Sequence, residues 1–127
     1  MRRLLLAAFA FFALASAALA FSGFAPYDKA KFDSLVQSGA PVIAHVNATW
    51  CSTCKRQETI LNGMLKDPRY SKIQAVRVDY DKDTEFQKAN KVTSRATILV
   101  FKGGKEVSRL VLDTDPAHIK RTIDSAF

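Results

Sequence analysis

The chain has 127 residues, nearly half of them hydrophobic, with 19 Lys and Arg against 12 Asp and Glu and a formal charge of +7. That length suits one domain able to bury a core without metals or several disulfides. The positive excess is spread out, with no basic run, Arg-rich helix or aromatic–basic alternation, so no nucleic-acid role is expected.

Met1-Arg2-Arg3 is a short basic start, Leu4 to Leu19 is an almost unbroken apolar run, and Ala18-Leu19-Ala20 is a small-x-small end. This order predicts a secretory signal peptide over residues 1–20, cut after Ala20, and a mature chain of 21–127. The apolar run is short for a membrane span, which needs roughly 20 apolar residues. An uncleaved anchor is the alternative. Arg2-Arg3 also admits a twin-arginine reading, but the general secretory route is the simpler one. The residue directly after the cut is Phe21, not a cysteine that could carry a lipid. The expected location is therefore periplasmic or secreted.

Phe21 to Pro26 reads as an irregular lead-in. Tyr27 to Ser38 has Phe32, Leu35 and Val36 at helical spacing and Gly39 at its end. Pro41 to Val46 is a short apolar run suited to a strand buried on both faces. A helix is predicted from about Cys51 to Leu65, striped by Ile60, Leu61, Met64 and Leu65 and closed by Asp67-Pro68. A strand over Ile73 to Asp79 and a short helix over Thr84 to Asn90 follow. Thr97 to Lys102 is a second apolar strand, and Gly103-Gly104 turns it tightly into Glu106 to Leu112. Asp115-Pro116 opens a last helix through Ile119 and Ile123. Strands alternating with helices imply an α/β fold with a parallel-containing sheet and an antiparallel edge at the hairpin.

The only two cysteines lie three apart, in Trp50-Cys51-Ser52-Thr53-Cys54-Lys55, where a buried strand turns into a helix. A purely structural bridge gains stability by shrinking the unfolded ensemble, and that gain is smallest for so short a loop. Redox chemistry explains the spacing better. A sulfur at a helix N-terminus faces unpaired N–H groups and the positive end of the helix dipole, which favour the thiolate. Cys51 is thus the expected nucleophile, shielded on one side by Trp50. Cys54, one turn deeper on the same face, is the expected resolving thiol.

The strand Val42–Asn47, the Trp-Cys-x-x-Cys-Lys motif and the segment Ala96-Thr97-Ile98-Leu99-Val100-Phe101-Lys102-Gly103-Gly104 together resemble the thioredoxin family in order and spacing. The resemblance covers nearly all of residues 27–127. It looks closest to small exported members and to the C-terminal periplasmic domain of the transmembrane thiol reductase DsbD, which also has a glutamate where Glu58 stands. It implies a thioredoxin fold, a central mixed sheet flanked by helices, and thiol–disulfide exchange with protein substrates through a redox-active Cys51–Cys54 disulfide. No dissociable cofactor is implied. A reductant in an oxidising compartment would need a membrane-bound thiol reductase as electron donor. Nothing demands more than a monomer.

Two departures from the family pattern shape the site. The family's buried aspartate, six residues before the first cysteine, is His45 here. His45 is either a proton shuttle for Cys54 or a core histidine satisfied by one hydrogen bond. Glu58, an i, i+4 neighbour of Cys54, is the other candidate proton acceptor, or else a solvated glutamate paired with a nearby cation. The second departure is Ala96, which stands where the family has a cis-proline. A cis bond before a non-proline residue costs about 2.5–4 kcal/mol, so Arg95–Ala96 is expected to be trans. That change would reshape the groove in which Trp50, Arg95 and Ala96 would bind substrate. Arg95 would either stabilise the Cys51 thiolate or be an exposed loop arginine. Metal is not expected: zinc sites usually take four ligands, and Cys51, Cys54, His45 and His118 show no paired histidine spacing. Cys54-Lys55 in place of Cys-His argues against covalent haem. The rival function is a binding module that keeps the fold and cysteines without turnover.

Overall fold

The computed structural model describes Phe21 and residues 23–127; the expected signal peptide lies outside the described residues. The elements are β1 (Ala25–Pro26), α1 (Lys29–Gln37), β2 (Val42–Asn47), α2 (Ser52–Leu65), a 3-10 turn (Pro68–Tyr70), β3 (Gln74–Asp79), α3 (Thr84–Ala89), β4 (Thr97–Lys102), β5 (Lys105–Val111) and α4 (Pro116–Asp124). They form one five-stranded sheet in the order β1-β3-β2-β4-β5.

β2 runs through the middle, parallel to β3 and antiparallel to β4. Because successive side chains alternate, its apolar residues serve both faces. Ile43 points with Ile98 and Val100 toward Leu61 and Leu65 of α2 and Ile119 and Ile123 of α4. Val42, Ala44 and Val46 point the other way, toward Phe32 of α1 and Phe86 of α3. There Phe32 meets Phe86 and Phe101 edge-on, each with ring centroids 5.3 Å apart. The sheet is therefore covered on both sides, and the C-terminal end of β2 is left to deliver the chain into the Trp50–Cys51 turn.

The helix starts follow from local chemistry. Asp28 caps α1, its carboxylate accepting the Lys31 N–H at 3.0 Å. Asp28→Ala is expected to cost about 1 kcal/mol, read as a lower urea midpoint with an unchanged slope. Gly103 and Gly104 both adopt positive φ, 61° and 86°, which a two-residue turn matched to the strand twist requires.

Two features differ from the sequence reading. The lead-in is not wholly irregular, since Ala25 and Pro26 pair in parallel with Val76 and Arg77 at the sheet edge. Proline is tolerated there because an edge strand need not donate on both sides. The antiparallel character also extends inward, as β4 runs against β2 as well as against β5. Strand direction depends on where the connection leaves the chain, and hydrophobic periodicity does not encode that.

Candidate active site

Cys51 and Cys54 form a disulfide across the start of α2, with Cα atoms 5.3 Å apart. Cys51 is the N-cap: its backbone is extended (φ −97°, ψ 108°), and its Sγ accepts the Cys54 N–H at 3.1 Å. One of the helix's orphan donors is thus spent on the sulfur itself, and no acidic side chain occupies the first turn to offset the dipole. Upstream, the Cys51 N–H donates to the Ala48 carbonyl at 3.1 Å, which tightens the turn out of β2. Cys54 Sγ lies 3.9 Å from the Val46 carbonyl. Cys51 is 2% exposed and Cys54 fully buried, clustered with Ala48, Ala96 and the flank of Tyr80.

Ala96 shares the buried cluster of the two cysteines and has a left-handed backbone, φ 55°. No cis peptide occurs among the described residues, so the Arg95–Ala96 bond is trans. The left-handed conformation costs an alanine about 1–2 kcal/mol. Three hydrogen bonds hold it. The Ala96 N–H donates to the Val46 carbonyl at 2.9 Å, and the Ala96 carbonyl accepts from the Leu112 N–H at 2.9 Å and from Gln57 Nε2 at 3.0 Å. Proline has no N–H and could not make the first of these.

His45, on β2, is fully buried on the α2 side of the sheet. Its Nε2 lies 2.9 Å from Gln57 Oε1, while Nδ1 is buried with no hydrogen-bond partner. Burial pushes the His45 pKa down to about 4; the Gln57 bond opposes this and the nearby Arg77 charge adds to it. The ring is therefore neutral at neutral pH, and the same burial makes it a weak base. Glu58 points elsewhere along the helix. Its carboxylate accepts from Asn47 Nδ2 at 3.1 Å and pairs with Arg77, so both oxygens are committed.

Gln57 was not among the residues singled out in the sequence. Its signal was present: Cys54, Gln57, Leu61 and Leu65 follow at helical spacing, and α2 buries all four. A polar side chain on that stripe must find partners inside, because an unpaired buried amide is costly. Ile60 and Met64, assigned to the stripe from sequence, are only half-buried at its border.

Outside the sulfurs, Trp50 is 59% exposed and donates from Nε1 to Asp81 Oδ2 at 2.9 Å. The Arg95 guanidinium lies over its ring, Cζ 5.1 Å from the centroid. Arg95 Nε is buried and makes no hydrogen bond. The structure thus joins Trp50, Arg95 and Ala96 around Cys51. His118 sits apart on α4, its Nδ1 2.6 Å from Asp113 Oδ2.

This arrangement, a dicysteine N-cap leaving a central strand opposite the start of an antiparallel one, has counterparts. Residues 23–125 match the family model described as Thioredoxin. The chain belongs to the thioredoxin family. It is 33% identical over 96 residues to Thioredoxin-2 of Saccharomyces cerevisiae, covering 75% of this chain and 89% of that one. It is 32% identical over 96 residues to Thioredoxin 1 of Plasmodium falciparum, covering 76% and 89%. The crystal structure of Trxlp from Edwardsiella tarda superposes with a TM-score of 0.74 at 31% identity, covering 79% of this chain and 98% of that one. This thioredoxin-family chain is a thiol–disulfide oxidoreductase with its redox pair at Cys51 and Cys54.

Proposed function

We propose that this oxidoreductase reduces disulfides of protein substrates outside the cytoplasm, after export by the signal over residues 1–20, and acts as a monomer. The observation that carries the mechanism is the seating of the pair: Cys51 Sγ is at the helix N-cap and Cys54 is buried behind it.

In the reduced enzyme, the Cys51 thiolate attacks one sulfur of the substrate disulfide. The substrate S–S bond breaks, a Cys51–substrate disulfide forms, and the other substrate sulfur leaves and takes a proton. Cys54 then loses its proton and attacks Cys51 Sγ. The Cys51–Cys54 bond forms and the second substrate thiol is released. Two electrons pass to the substrate and the enzyme is left oxidised. His45 relays the Cys54 proton in this scheme, through its uncommitted Nδ1, and holds it only in passing because burial makes the ring a weak base. Glu58 is the weaker candidate because Arg77 and Asn47 already hold it. Trp50, Arg95 and Ala96 form the substrate-facing rim, and the Arg95 charge supports the Cys51 thiolate. A membrane-bound thiol reductase returns the electrons, since the compartment itself is oxidising.

The test is the Cys51–Cys54 reduction potential, measured by equilibration with glutathione and read by thiol alkylation. The expected value is near or below about −270 mV, that of thioredoxin. A value near about −120 mV would instead mark an oxidant of exported chains. Failure to equilibrate with both thiols accessible would favour the non-turnover binding module.

A further inference from the structure

Gln57 joins three stretches of chain through one buried amide. Nε2 donates to the Ala96 carbonyl at 3.0 Å and to the Asp113 carbonyl at 2.9 Å. Oε1 lies 2.9 Å from His45 Nε2. A side-chain amide has two N–H donors and one carbonyl oxygen. Turning it over would place that oxygen against two carbonyl oxygens, leave the Ala96 carbonyl with the Leu112 N–H alone and take the Gln57 donor from Asp113. The two backbone carbonyls therefore fix the amide's orientation, and the amide fixes the imidazole: only a protonated Nε2 can donate to Oε1. Nδ1 then carries the lone pair, and it is the nitrogen that is buried without a partner.

The same amide bears on the loops beside the disulfide. Ala96 lies in the buried cluster of both cysteines, and its carbonyl receives the Leu112 N–H. Ala96 and Leu112 are both left-handed, with φ 55° and 56°. Two strained residues from separate loops are thus held against each other, and Gln57 grips the chain at Ala96 and at Asp113, next to Leu112.

We propose that Gln57 is a positioning residue for disulfide exchange: its amide locks the Ala96 and Asp113 loops together beside Cys51 and fixes His45 as the Nε2–H tautomer with Nδ1 free to accept a proton. The inference rests on the oxidoreductase reading above and adds a residue whose amide is hydrogen-bonded to His45, Ala96 and Asp113 rather than to the reacting sulfurs.

The test compares the wild-type chain with Gln57→Met, which keeps the length but removes all three hydrogen bonds, and with Gln57→Glu, which keeps an acceptor for His45 but offers the two carbonyls at most one proton. Long-range ¹H–¹⁵N correlation spectra of the oxidised proteins read the imidazole directly. The wild type is expected to show a single Nε2–H tautomer at neutral pH, Gln57→Glu to retain it, and Gln57→Met to lose it. With a protein disulfide as substrate, kcat/KM should fall roughly 10- to 100-fold in Gln57→Met, the scale of a misplaced site. In Gln57→Glu the loss should fall mainly on KM. A wild-type Nδ1–H tautomer would overturn the proposal, as would wild-type kinetics in either folded variant. If Gln57→Met does not fold, Gln57→Glu decides through KM. The tautomer needs no turnover, so an inactive wild type would count against the reductase reading and leave this inference to the spectra.

Discussion

Cys54→Ser is expected to stop turnover after the first chemical step and leave the substrate covalently attached to Cys51. The reason lies in the different surroundings of the two sulfurs. Cys51 holds the N-cap, where the Cys54 N–H already points at its Sγ from 3.1 Å, so its thiolate is stabilised before any substrate arrives. Cys54 is fully buried below it and can reach only the sulfur of Cys51 or of an adduct on Cys51. A serine there keeps the size but not the nucleophile. Steady-state rate should fall by roughly a thousandfold or more, the scale of losing an essential nucleophile. A non-reducing gel should show a mixed disulfide that a small dithiol releases. Cys51→Ser should lose as much activity and form no adduct. Trapping in Cys51→Ser but not in Cys54→Ser would reverse the two assignments.

The second large effect is on stability. Between neutral pH and pH 4 the oxidised protein is expected to lose about 3 kcal/mol through His45 alone. In the unfolded chain this imidazole titrates near its ordinary 6.5, whereas burial holds it at about 4 in the fold. Between those values the unfolded chain carries the extra proton, so stability rises with pH. The His45 contribution is fully present above about pH 6.5 and disappears as the pH falls through 4. Asp113 and Asp124 are also held below the usual carboxylate range. For Asp113 the main causes are the Asp115 backbone N–H and then His118; for Asp124 they are hydrogen bonds from Lys120 and Tyr70. Both act in the same direction, so the comparison must be with a variant. Urea unfolding of wild type and His45→Leu at pH 7 and pH 4 isolates the imidazole, because the carboxylates cancel between them. His45→Leu should be less stable at pH 7, where it strands Gln57 Oε1, but should lose less on acidification. Equal losses in the two proteins would mean that His45 does not titrate differently in the folded and unfolded chains.

Much of the scaffold was legible because its signals are local. The apolar run Thr97–Lys102 is β4 residue for residue, and the Gly103-Gly104 turn carries the positive φ values that only glycine adopts freely. The start of α2 at Ser52, with Cys51 as its cap, follows from a strand running into two cysteines one turn apart. Ala25–Pro26 was not legible, since two residues carry no period and pair only because β3 offers an open edge. The direction of β4 was hidden for the same kind of reason.

The active site divides along this line. The amino-acid sequence by itself determined the chemistry: two cysteines at one helix start, a histidine in the neighbouring strand, and an alanine opposite them. The tertiary structure decided how those residues are held. It placed Ala96 in the left-handed region, committed Glu58 to Arg77 and Asn47, and set Gln57 between His45 and a carbonyl 56 residues away. Reactivity at a helix terminus is set by neighbours within one turn, which a sequence displays. A buried polar network is set by partners that meet only once the sheet has closed, where each donor must find an acceptor because water is gone.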